Sequence, residues 1–304
     1  MVRPVGERCT AIARDHTEWP GGTASRARRW LLVEQPGPWG RDAVRESDLP
    51  ADVADHLEQL AGSLPARVLL IRRTGGGGTP DTRRVVLAGV SAPGGGGWLE
   101  QFVLDHIEDL RDLDLGGLSA GRSVGGERIV DPVYLVCTNG KHDQCCAVYG
   151  LPVARALSEL MEDRTWECSH VGGDRFAGNL VCLPDGIFYG HLDPDTAVHA
   201  VAANESGRVL AGHCRGRSAL PFAAQAAELF ARERLDIERL DGLRYLDARR
   251  DGDRDDVRFA LADDREVVVT VRRGHDPAAR VLTCGASPAT PPTFELMALQ
   301  VAGD

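Results

Sequence analysis

Short apolar runs, closed by charge or by turn residues, recur through the chain: Trp30-Leu31-Leu32-Val33, Val68-Leu69-Leu70-Ile71, Val85-Val86-Leu87-Ala88, Val133-Tyr134-Leu135-Val136 and Leu180-Val181-Cys182-Leu183. Runs of this kind predict buried strands. Helical spacing occurs between them. Val53, Leu57 and Leu60 share one helical face after Asp48-Leu49-Pro50 and predict a helix over about 50–61. Val153, Ala156, Leu157 and Leu160 predict another, with Pro152 in its first turn. Further helices are expected over about 98–110 and 194–203, and after Ser218 as N-cap, where Leu220, Ala223, Ala227 and Phe230 recur. Pro184-Asp185-Gly186 turns the 179–183 strand back into Ile187-Phe188-Tyr189 as a β-hairpin. Beyond Gly242, Val257-Arg258-Phe259, Val267 to Val271 and Arg280-Val281-Leu282-Thr283 predict short antiparallel strands, and Ser287 to Pro292 an irregular segment.

From Val133 to Ala203 the predicted order is strand, loop, helix, loop, hairpin and helix, which is the order of thioredoxin-like domains. Residues 30–110 echo it as strand, helix, strand, strand, helix. The expected fold class is therefore α/β (α+β). An N-terminal thioredoxin-like domain without ligands spans 1–126, a second thioredoxin-like domain carrying the chemistry spans 127–241, and a small antiparallel extension spans 242–304. The first boundary falls in the glycine-rich stretch from Leu115-Gly116-Gly117 to Gly125-Gly126.

Composition narrows the function classes. At 304 residues, 43% hydrophobic and 26% charged, the chain is an ordinary globular protein. A formal net charge of −10 argues against nucleic acid or an anionic membrane as partner. Met1 to Cys9 lacks the apolar core of a secretory signal, and no apolar run approaches the ~20 residues of a membrane helix, so the expected location is the cytoplasm. In that reducing compartment the eight cysteines are read as metal ligands, redox thiols or small buried hydrophobes rather than a disulfide framework. Gly75 to Gly78 and Gly94 to Gly97 lack the Gly-Lys-Ser/Thr ending and the dinucleotide spacing, and are expected as plain hairpin and exit loops. Arg26, Arg28 and Arg29 are read either as a solvated strand end or as a contact for an anion or an acidic partner.

Five of the eight cysteines fall between Val133 and Gly190, around Cys168-Ser169-His170-Val171-Gly172-Gly173-Asp174. The stretches Cys137-Thr-Asn-Gly-Lys-His-Asp-Gln-Cys145-Cys146 and Ser169-His170-Val-Gly-Gly-Asp174-Arg-Phe-Ala-Gly-Asn179, with Leu183-Pro184-Asp185-Gly186 and Tyr189-Gly190, resemble the sucrase/ferredoxin-like family. The resemblance implies a thioredoxin-like ferredoxin binding a 2Fe-2S cluster and serving electron transfer with a redox partner protein whose identity the sequence does not give. The family pattern has two cysteines separated by eight residues, matched by Cys137 and Cys146, and two histidines separated by three. His170 matches the first histidine, and Asp174 stands at the second.

The fourth ligand thus lies between two candidates. Position favours Asp174, and ligand softness favours Cys168, two residues before His170 and on the same face of an extended backbone. Asp174 is preferred because Gly172-Gly173 supplies a turn that swings it back, while Cys168 can pack beside Trp166. Cys146 rather than Cys145 is expected as ligand. Replacing thiolate by imidazole raises the potential of a cluster, and the outer imidazole nitrogen can couple a proton to the electron. The rival readings are a structural or regulatory zinc site on the same residues, and a thiol redox protein, although no Cys-x-x-Cys occurs. Cys182 is expected as core. The basic stretch Gly212 to Arg217 is either a solvated loop or an edge facing the site. Cys9, Cys214, Cys284 and the lone histidines His16, His56, His106, His199 and His275 are treated as bystanders, and the oligomeric state is open.

Overall fold

Alternation inside the apolar runs decides which side chains face which layer. In β1 (Arg29–Glu34), Trp30 and Leu32 point to one side of the sheet and Leu31 and Val33 to the other, and all four are fully buried, so both faces must be covered. The computed structural model describes residues 8–75 and 83–302. Before β1 comes a short helix, α1 (Cys9–Asp15); after it come α2 (Ala51–Ser63), β2 (Arg67–Arg72), β3 (Arg84–Val90) and β4 (Trp98–Leu104). Then follow β5 (Glu127–Ile129), β6 (Val133–Cys137), α3 (Gln144–Met161), β7 (Thr165–Cys168), β8 (Leu180–Leu183), β9 (Ile187–Tyr189), α4 (Pro194–Glu205) and β10 (Cys214–Arg217).

These ten strands form one sheet in the order β10-β9-β8-β6-β7-β2-β1-β3-β4-β5. Its halves repeat each other. β1 runs parallel to β2 and antiparallel to β3, which continues into β4; β6 runs parallel to β7 and antiparallel to β8, which continues into β9. The halves join where Ile71 and Arg72 of β2 pair antiparallel with Cys168 and Glu167 of β7. One buried cluster draws on both, with Trp30, Leu32, Ile71 and Leu87 against Leu135, Cys137, Trp166, Val181 and Phe188. The opposite faces are covered separately, the first by α2 through Val53 and Leu57, the second by α3 and α4 through Val153, Leu157, Ala197 and Val201. Residues 1–126 and 127–241 therefore each contribute half of a continuous sheet, except that β5 pairs at the far edge of the first half.

A second sheet, the antiparallel meander β11 (Leu243–Asp251), β12 (Arg254–Leu261), β13 (Glu266–His275) and β14 (Pro292–Val301), packs on α5 (Phe222–Leu235). Between β13 and β14 a long arm returns to the first sheet. Arg280 on this arm and Arg175 both bind Glu18, with the three side chains at most 11% exposed.

Several expectations are corrected. Residues 98–104 form strand β4, because Trp98 to Leu104 pair residue by residue with Val90 to Arg84; an apolar run cannot by itself distinguish the two. α3 begins at Gln144, so Pro152 lies inside it; the carbonyl left without a donor belongs to Val148, which is 40% exposed. α5 begins at Phe222, with Pro221 rather than Ser218 as N-cap. Gly212 to Arg217 is no solvated loop, since Cys214–Arg217 is a buried strand. Residues 280–283 form no strand beyond the bridge of Arg280 to Ala289, and β14 had no counterpart in the apolar pattern. Gly76 to Gly78 and the first seven residues lie outside the described residues.

Candidate metal centre

Cys137 is the last residue of β6, and alternation turns it with Val133 and Leu135 into the cluster shared by both halves. The chain then turns through Thr138 to Lys141 and enters α3, capped by Asp143, whose Oδ1 accepts from the backbone N of Cys145 at 2.8 Å. Cys145 and Cys146 thus stand in the first helical turn, not on extended chain, and diverge by about 100° around the helix. Cys146 faces inward toward Cys137. Cys145 faces α1.

His170 and Asp174 lie on the loop after β7. His170 Nδ1 stands 3.9 Å from Cys146 Sγ and 3.2 Å from Asp174 Oδ1, and Cys146 Sγ stands 3.6 Å from Asp174 Oδ1. One donor atom each from Cys137, Cys146 and His170 lie within 4.8 Å of one another. Of the four residues singled out in the sequence, Cys137, Cys146 and His170 form one group, and Asp174 stands beside Cys146 and His170 and groups with His142 and His170 instead of with Cys137. Cys168, registered beside Cys137 in the parallel pair β6 and β7, belongs to none of the three metal-compatible groups among the described residues and packs in the core with Trp166.

The loop is held rigidly. Gly173 has φ +79°, and a Cβ there would stand 2.2 Å from Arg215 Nη2. Arg215, 1% exposed, donates from Nη1 to Gly172 O at 2.9 Å and Asn179 Oδ1 at 2.7 Å, from Nη2 to Thr23 O at 2.6 Å and from Nε to Thr23 Oγ1 at 3.1 Å. Thr10 Oγ1 donates to Asp174 O at 2.9 Å, and Thr283 Oγ1 donates to Asp174 Oδ2 at 2.8 Å, leaving Oδ1 turned toward Cys146 and His170.

Electrostatics divides the thiols. The hydrogen bond from Cys146 draws Cys137 well below the ordinary thiol range, with His170 acting in the same direction against the effect of burial. Donating that hydrogen bond raises Cys146, and burial adds to the rise. Burial likewise raises Cys168. Two arginines face this group. Arg67 donates from Nη2 to His170 O at 3.0 Å, while its Nε is buried without a hydrogen-bond partner; burial lowers it and the nearby charges of Cys168 and Cys137 oppose this. Burial lowers Arg215 to about 9. Among the described residues neither arginine has a carboxylate within ion-pair distance.

A family model described as sucrase/ferredoxin-like matches residues 20–216. The chain belongs to the sucrase/ferredoxin-like family. The match takes in both halves of the ten-stranded sheet, up to β10, and leaves out α5 and the second sheet. Over 77 residues the chain is 30% identical to "Altered inheritance of mitochondria protein 32" of Meyerozyma guilliermondii, covering 22% of this chain and 27% of that protein. The aligned part therefore spans about a quarter of that relative's length. No solved structure matches the chain significantly.

Sequence reading missed other residues in this family member. His142 stacks on His170, ring centroids 3.6 Å apart and 12° from parallel. It stands in the Lys141-His142-Asp143 stretch already singled out, so its proximity to the second cysteine was the available signal. Asp143, Cys9 and Cys284 form with Cys145 a second group whose donor atoms all lie within 4.8 Å. Cys9 and Cys284 come from opposite ends of the chain, and no spacing rule links them. Cys214 stays apart, buried in β10. No helix among the described residues is long and apolar enough to cross a membrane.

Proposed function

We propose that the chain is an electron-transfer protein that holds a 2Fe-2S cluster through Cys137, Cys146, His170 and Asp174. The observation that carries this is the donor set itself: two thiols and one imidazole meet, with a carboxylate beside the imidazole and one of the thiols, inside the region matched by the sucrase/ferredoxin-like family. The donor chemistry fits the group, since iron–sulfur iron takes thiolate and imidazole. The surroundings fit it too. Arg67, with its unpartnered buried Nε, and Arg215, buried without a carboxylate, offer positive charge to an anionic centre. The repeated strand order, parallel pair first and antiparallel hairpin after, supports the thioredoxin-like ferredoxin type.

When bound, such a cluster takes up and releases single electrons. The protein's own residues set the conditions. Arg215 and Thr283 orient the loop and its carboxylate, and the core of β6, β7 and β8 keeps water from Cys137. His170 keeps a side-chain exposure of 19% and stacks on half-buried His142, so this pair is the place where a partner approaches the site. With Nδ1 turned to Cys146 and Asp174, Nε2 is the outward nitrogen and is suited to couple proton and electron. A second reading, one zinc ion on the same residues, is favoured by the close spacing of the donors, 3.2 to 3.9 Å. Anaerobic purification with an absorption spectrum and iron and sulfide assays separates the two. About two irons and two sulfides per chain are expected, with Cys146→Ser losing the visible spectrum and Cys145→Ser keeping it. A colourless protein from iron-replete cells overturns the reading.

A further inference from the structure

Three sulfurs outside the site described above form a nearly equilateral triangle. Cys9 Sγ to Cys145 Sγ, Cys145 Sγ to Cys284 Sγ and Cys284 Sγ to Cys9 Sγ are each 3.6 Å. These distances exclude disulfides, whose sulfurs stand about 2.05 Å apart. Asp143 Oδ2 stands 3.7 Å from Cys9 Sγ, and its donor atom lies within 4.8 Å of the other two sulfurs as well. Cys9 and Cys145 are fully buried, Asp143 is 3% exposed and Cys284 is half-buried. Capping α3 accounts for Asp143 Oδ1, but neither capping nor hydrophobic packing accounts for the other carboxylate oxygen standing among three buried or half-buried sulfurs.

We propose that Cys9, Cys145, Cys284 and Asp143 are the four ligands of a second metal site, a closed tetrahedral site for one zinc ion. Zinc binds thiolate sulfur at about 2.3 Å and carboxylate oxygen at about 2.1 Å. A regular tetrahedron with those bond lengths has sulfur–sulfur edges of about 3.8 Å and sulfur–oxygen edges of about 3.6 Å. The observed 3.6 and 3.7 Å edges are within 0.2 Å of both. The groups around the ligands are also arranged for a metal. The backbone N of Cys9 donates to Cys284 Sγ at 3.4 Å, and Asp143 is oriented through both oxygens by the backbone N of Cys145 at 2.8 Å and of Cys284 at 2.6 Å. Four protein ligands with no open position describe a structural site rather than a catalytic one. Its effect follows from the topology. One ion ties α1, the start of α3 and the arm between β13 and β14, and so fixes Thr10 and Thr283, the two residues that hold Asp174.

The test is metal analysis of the full chain purified anaerobically under reducing conditions from cells supplied with zinc and iron. About one zinc per chain is expected, and X-ray absorption at the zinc edge is expected to show three sulfurs and one oxygen. Cys9→Ser and Cys284→Ser are each expected to lose most of the zinc, with iron falling less than zinc because Cys137, Cys146 and His170 are unaltered. If these variants do not fold, the absorption count on the unaltered chain decides alone. Two sulfurs with one nitrogen and one oxygen place the zinc on Cys137, Cys146, His170 and Asp174 and overturn the proposal. So does a chain without zinc that takes none from micromolar zinc sulfate, or zinc content unchanged in both folded variants. A chain without iron but with zinc on three sulfurs defeats the electron-transfer reading alone.

Discussion

Replacing Gly173 by alanine should damage the protein far more than the loss of one glycine in a loop normally does. Two costs combine. A residue other than glycine at φ +79° carries about 1–2 kcal/mol of steric strain. The new Cβ would stand 2.2 Å from Arg215 Nη2 and 2.6 Å from its Cζ, and the guanidinium is held in place by bonds to Thr23, Gly172 and Asn179. Moving it aside sacrifices at least one charge-assisted hydrogen bond, worth about 1.5–3 kcal/mol, and leaves an acceptor buried. The expected loss is about 2.5–5 kcal/mol, less roughly 0.5 kcal/mol recovered from a stiffer unfolded chain. Gly207→Ala is the control. Its φ is +66° and a Cβ there meets nothing within 4 Å, so only the strain of about 1–2 kcal/mol applies. At about 2 °C per kcal/mol for a chain of this size, and with the same unfolded-chain gain of about 0.5 kcal/mol applied to both, thermal unfolding followed by circular dichroism should fall by about 4–9 °C for the first and by about 1–3 °C for the second. Bound iron should fall only in Gly173→Ala, because Asp174 follows the displaced residue. Melting temperatures within about 1 °C of each other would show that Arg215 is not held as tightly as its hydrogen bonds indicate.

Asp174→Ala should destabilise the cluster and Asp174→His should retain it at a higher potential, whereas Cys168→Ala should leave the visible spectrum nearly unchanged; the opposite pattern in folded variants would make Cys168 the fourth ligand. Glu228, buried between Arg217 at 2.9 Å and Arg232 at 2.8 Å, should be costly to neutralise: Glu228→Gln leaves two buried guanidiniums facing each other, and urea unfolding should show a loss of about 3–5 kcal/mol. His191 gives a pH dependence. Burial first, then the charges of Arg14, His213 and Arg215, lower its pKa from 6.5 to about 3, so below pH 6.5 the unfolded chain binds a proton that the folded chain refuses. Its stabilising contribution is complete above pH 6.5 and is lost as the pH falls toward 3, by at most about 1.4 kcal/mol per unit. His191→Asn, which tolerates the φ of +57°, should therefore lose less stability than the unaltered protein between pH 7 and 4.5 in urea titrations, and equal losses would refute the assignment.

The sequence by itself determined the local elements whose signal is local. The runs at Trp30, Val68, Val85, Val133 and Leu180 became strands because apolar side chains on both faces suit a sheet covered on both sides. Cys137, Cys146, His170 and Asp174 could be singled out because the two short stretches that hold them resemble the sucrase/ferredoxin-like family, and one strand end, one helix start and one loop set Cys146 near His170 and Asp174. Where two structures share one pattern, the sequence misled: Trp98 to Leu104 is apolar enough for either helix or strand, and only its register with β3 decides. Pro152 looked like a helix start because its missing N–H is harmless there, yet exposed Val148 makes the loss tolerable mid-helix. Tertiary structure alone decided what depends on distant residues meeting. The joining of β2 with β7 makes two similar halves into one sheet. Arg215 reads equally as part of a solvated loop or of an edge facing the site until burial and bonds to Gly172, Asn179 and Thr23 show where it stands. Cys9 and Cys284, 275 residues apart, carry no spacing signal, because the arm between β13 and β14 closes that distance in space and not along the chain.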